Sequence, residues 1–170
     1  MLRNNDKRVE SGAASAFAGR RILRWLTRTP VQTFILCPLA VIVVELVLHG
    51  GKPVFVPWGG LLVASGYLQY RLVGRYRMRL GAGGPGMQAP PLRILTQGPY
   101  RYVRNPMYLG HLIFLAGLAV TFWSVFALLL LAARAVWFHR RVLEDEARLE
   151  ALFGAQYNRY RARVKRWIPV

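Results

Sequence analysis

One cysteine, three histidines and seven acidic residues are all that this chain of 170 residues holds of those types. With Cys37 alone, no disulfide framework can form within the chain, and its position in an apolar run reads as a small buried hydrophobe. His111 and His139 have no partners at metal-ligand spacing, so no metal is expected. No Gly-rich turn follows a strand-like run, and no alternation of strands with helices is visible. A dinucleotide-binding sheet is therefore excluded, and GAGGPG at 81–86 reads as a loop without an adjoining strand. The shortage of acids against 24 Lys and Arg leaves a formal net charge of +17.

Such a balance, with a pI near 11.4, can be the electrostatic footprint of a nucleic-acid binder. Yet 54% of the residues are hydrophobic, and charge and hydrophobicity are segregated into blocks. Apolar blocks of that length do not suit a small soluble domain. The partner implied is a membrane lipid bilayer, and no nucleic acid is expected.

Residues 1–29 are polar and basic, with Arg20, Arg21, Arg24 and Arg28 ahead of the first apolar block. That block, Val31–Leu48, would extend about 27 Å as a helix, close to the thickness of a bilayer core. It is too long for the apolar region of a cleaved signal, and HGGKP follows it in place of small cleavage-site residues. A second block runs from Val54 to about Val73, opening with Pro57 and Trp58 at an interface position. Met107–Phe122 and Ser124–Phe138 follow, separated by Trp123, and read as a tight helical hairpin. The expected fold is thus all-α: a polytopic membrane protein with four transmembrane helices and a C-terminal amphipathic helix. It forms a single membrane domain over 1–170. Residues 1–29 are a basic segment, 30–139 hold the spans and a cytoplasmic loop at 74–105, and 140–170 form a tail.

Lys and Arg positions orient these spans. Residues 1–29 hold seven, 71–104 hold seven and the stretch from Arg134 onward holds nine, while Lys52 stands alone in the 49–53 loop. By the positive-inside rule the three basic regions face the cytoplasm, which requires an even number of spans. The expected location is a bacterial inner membrane, multi-pass, with both termini cytoplasmic. Glu45 and His49, four apart near the far end of the first span, read as a simple pair.

In the tail, Phe153, Tyr157, Tyr160, Val164 and Trp167 recur at spacings of four, three, four and three, one stripe of a helix. Arg159, Arg161, Arg163, Lys165 and Arg166 fill much of the remainder. The stripe suits either an anionic headgroup surface or packing against the protein's own spans.

Two segments carry a denser pattern: GPYRYVRNPMYLG at 98–110 and EDEARLEALFGAQYNRYRARVKRWIP at 144–169. A hairpin of the last two spans would bring them out side by side on one membrane face. The first contains Gly98, Pro99, Tyr100, Arg104, Asn105, Pro106, Tyr108 and Gly110. The second contains Asp145, Glu146, Leu149, Phe153, Gly154, Tyr157, Tyr160, Arg163 and Pro169. In these residues, over roughly 70–169, the chain resembles the isoprenylcysteine carboxyl methyltransferases and related phospholipid methyltransferases, small integral membrane enzymes that use S-adenosylmethionine. Many relatives have His where Asn105 stands. Asn cannot take a proton, so a base at that position is not expected here.

The resemblance implies a methyltransferase with S-adenosylmethionine as cofactor. Its binding residues would be Gly98, Pro99, Tyr100, Arg104, Asn105, Pro106, Tyr108, Asp145, Glu146, Tyr157 and Tyr160. Arg104 suits the cofactor carboxylate through its fork, Asp145 and Glu146 the ammonium or ribose diol, and tyrosine faces the sulfonium and adenine. Helix-start N–H groups after Pro106 would add to the carboxylate site. Arg104, Asn105 and Arg141 are the candidate catalytic groups. Arg134 and Arg140 are candidates for holding the acceptor. That acceptor is expected to be lipid-like, of the isoprenylcysteine carboxylate type, with a phospholipid amine or a hydrophobic thiol as alternatives. A non-catalytic membrane scaffold or transport subunit is the reading from another class.

Overall fold

The computed structural model describes residues 25–80 and 91–168, and the architecture there is helical, with no strand among them. The N-terminal arginines Arg20, Arg21 and Arg24, the glycine-rich stretch at 81–90 and Pro169 lie outside the described residues. Helix α1 covers Thr29–Leu48, α2 Gly59–Arg79, α3 Pro106–Phe122, α4 Val125–Phe153 and α5 Ala155–Arg163.

Proline and glycine set the form of α1. Pro38 has no N–H to give and would crowd the carbonyl four residues earlier. The helix widens into a π turn at Gln32–Leu36 immediately before it, and the Cys37 N–H bonds to the Gln32 carbonyl. Gly50 and Gly51, both at positive φ, end the helix, and the Gly51 N–H returns to the Leu46 carbonyl at 2.7 Å. Of the described helices, α1 is long and apolar enough to cross a membrane by length and composition; α3 is apolar but shorter, at 17 residues. Near the end of α1, buried Glu45 pairs with His49 at 3.2 Å, as its spacing suggests. Glu45 also accepts a hydrogen bond from Ser124, whose Oγ caps α4 by accepting from the Ala127 N–H. One carboxylate therefore joins the end of α1 to the start of α4.

Helix α2 begins five residues later than the hydropathy block. Pro53 and Pro57 interrupt the backbone, and the Val56 N–H pairs with the Thr121 carbonyl instead of entering a helix. It also runs past Val73 to Arg79, so Arg75, Arg77 and Arg79 stand on a helix and not in a loop. The tightest packing in the molecule is between α2 and α3. A Cβ on Gly66 would overlap the backbone of Phe114, and one on Gly117 the backbone of Val63, so these glycines let the two helices touch main chain to main chain.

The hairpin between α3 and α4 is present. Trp123, at φ 49°, turns the chain, and Ser124 starts α4. Its second arm differs from the expectation, because α4 does not stop near Phe138 but continues unbroken to Phe153. At about 1.5 Å per residue it is on the order of 43 Å long, well beyond a bilayer core. Good helix formers such as Glu, Ala, Arg and Leu occupy 143–152, and nothing there breaks the helix until Gly154, at φ 48°. The short α5 then folds back, and the helical stripe ends at Arg163: Val164 is extended and Trp167 lies outside the helix.

Candidate active site

The segment leading into α3 is built around Gly98. Its φ of +59° favours glycine, and a Cβ there would also press on the outer end of the Tyr76 ring. Pro99 then starts a single 3-10 turn over Gly98–Arg101. This turn sets Tyr100 so that its carbonyl accepts from the Tyr160 hydroxyl at 2.7 Å, binding the segment to α5. Val164 and the two tyrosines Tyr157 and Tyr160 are buried with Ile94, Leu149 and Phe153 around them. The aromatic stripe of the tail therefore packs against the protein itself.

Between these pieces lies an open cavity of about 80 Å³. Tyr100, Arg104, Asn105, Pro106, Tyr108, Asp145, Glu146, Tyr157 and Tyr160 all line it. Gly98 and Pro99 do not; they shape the turn that carries Tyr100 and the residues after it. Arg141 stands at the edge, with Nη1 3.2 Å from Glu144 and Nε 3.8 Å from Asp145. Arg134 is elsewhere: it donates to Gln32 of α1 at 3.0 Å and lies over the Trp137 ring. Eleven residues before Asp145 on a straight helix, it is about 16 Å away along the axis. Arg140 is exposed and also lies off the cavity wall. Both residues proposed from sequence for the acceptor thus stand apart from the cavity.

The four neighbouring acids of α4 divide by face. Glu144 and Glu150 point outward, to Arg141 and Arg161. Asp145 and Glu146 are each 5% exposed and border the cavity. Asp145 accepts from the Tyr108 hydroxyl at 2.9 Å through Oδ2, while its buried Oδ1 accepts no hydrogen bond. Glu146 is a hub. Arg166 forks onto it, Nε to Oε1 at 3.1 Å and Nη2 to Oε2 at 2.9 Å. Asn105 reaches Oε1 at 3.4 Å and Arg104 Nη2 stands 3.5 Å from the same oxygen.

Arg104 is the most unusual group. Its side chain is 9% exposed, and its Nε and Nη1 are buried without a hydrogen-bond partner. A buried guanidinium is normally fully paired, and Arg104 borders the cavity, so its two donors without a partner mark it as a group suited to an anion. Next to it α3 begins at Pro106 with no side-chain cap, and Met107 and Tyr108 of its first turn also line the cavity.

Burial pushes the Tyr157 hydroxyl up to about 12, with Glu146 adding to the effect and Arg104, Arg161 and Arg166 opposing it. Tyr160 and Tyr100 are raised for the same first reason. These phenols stay neutral at physiological pH, as hydrogen-bond donors and apolar faces, not bases.

Sequence reasoning missed Arg77, Arg93, Ile94, Leu95 and Met107 on the cavity wall, and Arg166 beside it. Arg77 and Arg93 lie outside the two dense motifs, so no pattern marked them. In the sequence, Arg166 reads only as one charge of a basic helix face.

A helical protein with a largely apolar cavity where two chain segments meet, one bringing Arg104 and the other Asp145 and Glu146, is the class that fold and site define. The phospholipid methyltransferase family matches residues 56–156, more than half of the chain, and the protein belongs to that family. It is 35% identical over 79 residues to a protein-S-isoprenylcysteine O-methyltransferase of Schizosaccharomyces pombe, covering 45% of this chain and 33% of that one. It is 33% identical over 89 residues to methanethiol S-methyltransferase 1 of Bradyrhizobium diazoefficiens, covering 49% of this chain and 29% of the relative. Protein-S-isoprenylcysteine O-methyltransferase B of Arabidopsis thaliana is 33% identical over 79 residues, 45% of this chain and 40% of its own. The chain therefore spans well under half the length of each of these relatives.

Proposed function

We propose that this protein is an S-adenosylmethionine-dependent methyltransferase, held in the membrane by α1 to α4, that methylates a lipid-like acceptor at the cytoplasmic face. The observation that carries this reading is that one cavity is lined both by Arg104, two of whose donors make no hydrogen bond, and by Asp145, whose Oδ1 accepts none. S-adenosylmethionine supplies an electrophilic methyl on a sulfonium, and its amino-acid end presents a carboxylate and an ammonium. Arg104 and the start of α3 suit the carboxylate, and Asp145 suits the ammonium. Tyr108 holds Asp145 in place from below, and the neutral Tyr157 offers a ring to the cationic part.

Methyl transfer depends on alignment more than on a strong base. A carboxylate or thiolate acceptor brings its own lone pair and releases no proton, which accords with Asn105 and neutral tyrosines at the site. The named relatives act on isoprenylcysteine and on methanethiol. The acceptor here is of the lipid-like kind, reaching the cavity from the bilayer.

Binding of S-adenosylhomocysteine to purified protein in detergent, followed by calorimetry, tests the assignment. Arg104→Ala and Asp145→Asn should each weaken binding, the former by on the order of 2–5 kcal/mol, as for a charged partner lost from a desolvated site. Arg101→Ala, at an exposed position, should bind like the parent. Equal binding by all of them would refute the pocket.

A further inference from the structure

Two guanidinium groups compete for one carboxylate at the mouth of this cavity, and the outcome is uneven. Arg166 takes both oxygens of Glu146 in a fork, at 3.1 and 2.9 Å. Arg104, the more deeply buried of the two, is left with a single 3.5 Å approach to Oε1, longer than a charge-assisted hydrogen bond of about 2.7–2.9 Å. Its other two nitrogens make no bond. Were Glu146 free, it could accept the whole Arg104 fork, and the Arg104 donors would no longer be available.

We infer that Arg166 is a positioning residue: by occupying Glu146 it keeps the Arg104 donors available for an anionic ligand group. The backbone places it for that task. The Arg104 N–H donates to the Lys165 carbonyl at 3.0 Å, so the segment after α5 is fastened to the residue whose side chain must stay free. Buried Val164 anchors the same segment from the other side. Asn105, also 3.4 Å from Oε1, adds a neutral donor to Glu146 and reduces its pull on Arg104 further. Tyr157, buried beside this group, feels Glu146, Arg104 and Arg166 together, so the three charges form one local system.

The inference rests on the cofactor reading given above, with the carboxylate of S-adenosylmethionine as the anion. A residue that merely braced the fold would lose affinity on truncation, and losing Glu146 as well would add to the damage. A residue that holds Glu146 away from Arg104 behaves in the opposite way. Once Arg166 is gone, making position 146 neutral removes the competitor and frees the Arg104 donors again.

The test is calorimetry of the full chain in detergent with S-adenosylhomocysteine. Arg166→Ala should weaken binding roughly tenfold or more, because Arg104 collapses onto Glu146. Adding Glu146→Gln to that variant should raise affinity again, and Arg161→Ala, which breaks an exposed pair with Glu150, should change nothing. If Arg166→Ala does not fold, Arg166→Lys carries the same comparison: one ammonium cannot fork, and Glu146→Gln must improve binding in that background too. A parent protein that does not bind S-adenosylhomocysteine overturns the cofactor reading and this inference together. A parent that binds, with Arg166→Ala indistinguishable from it or with no recovery in the double variant, overturns this inference alone.

Discussion

Tyr157 stands where the charges of the cavity meet, and its environment gives a test at the scale of one side chain. It is 1% exposed, and burial, aided by Glu146, raises its hydroxyl from an ordinary value near 10 to about 12. The sign of the linkage follows from that direction. The fold favours the neutral phenol, so this contribution to stability is complete below the unfolded value near 10 and is lost as pH rises through about 12. Ultraviolet difference titration of the parent against Tyr157→Phe should assign to Tyr157 a phenolate step near pH 12. Ligand binding between pH 6 and 9 should have the same pH profile in both proteins, since no phenol ionises there. A Tyr157 step near pH 10 would mean that the ring is solvated and not part of the cavity wall.

At the scale of elements, packing between α2 and α3 supports the cavity, because α3 opens with the residues that line it and α2 brings Arg77 to its rim. A methyl group at Gly66 would meet Phe114 main chain, which cannot move without displacing the start of α3. Gly66→Ala should lower the thermal midpoint, with a cost of about 1–3 kcal/mol typical of overpacking, and should weaken ligand binding with it. Gly60→Ala, with nothing within 4 Å of the new methyl, should be neutral or slightly stabilising. Equal midpoints would show the two helices to be looser than described. How far these elements were legible in the sequence differed by region. Pro106 and the apolar run after it marked α3 to within a residue, since proline at a helix start is a local signal. The end of α4 was not legible, because hydropathy falls at His139 while helix propensity does not, and only Gly154 breaks the chain. The cavity itself was half legible. Two motifs named nine of its lining residues from the chemistry a cofactor needs, but Arg77, Arg93 and the Arg166–Glu146 fork depend on tertiary placement that no local pattern encodes.

For the whole molecule, the outward faces of three helices decide what surrounds it. Leu39, Val43 and Val47 on α1, Leu61, Leu68 and Leu72 on α2, and Leu128, Leu129 and Val136 on α4 are all exposed, an apolar coat that hydrocarbon would cover. With 23 of 24 Lys and Arg in the three regions assigned to one side, reporter fusions after Arg28, within residues 81–90 and at the C-terminus should all report cytoplasm. A signal from the far side at any of them would overturn the proposed four-span arrangement. The same coat bears on the acceptor. Under the function proposed above, the cofactor is polar and would come from the cytoplasm, so the cavity would open to water on that side. The acceptor then has a second route, along the apolar helix faces. On this reading it is a bilayer-resident molecule with a nucleophilic head at the interface, where cationic side chains attract anionic or zwitterionic groups. Purified protein given methyl-labelled cofactor with a total lipid extract should place label in the organic phase. The rate should follow acceptor density in the membrane more than its bulk concentration. Turnover with an aqueous metabolite fraction, and none with lipid, would remove the lipid acceptor and leave the methyltransferase assignment to stand on cofactor binding.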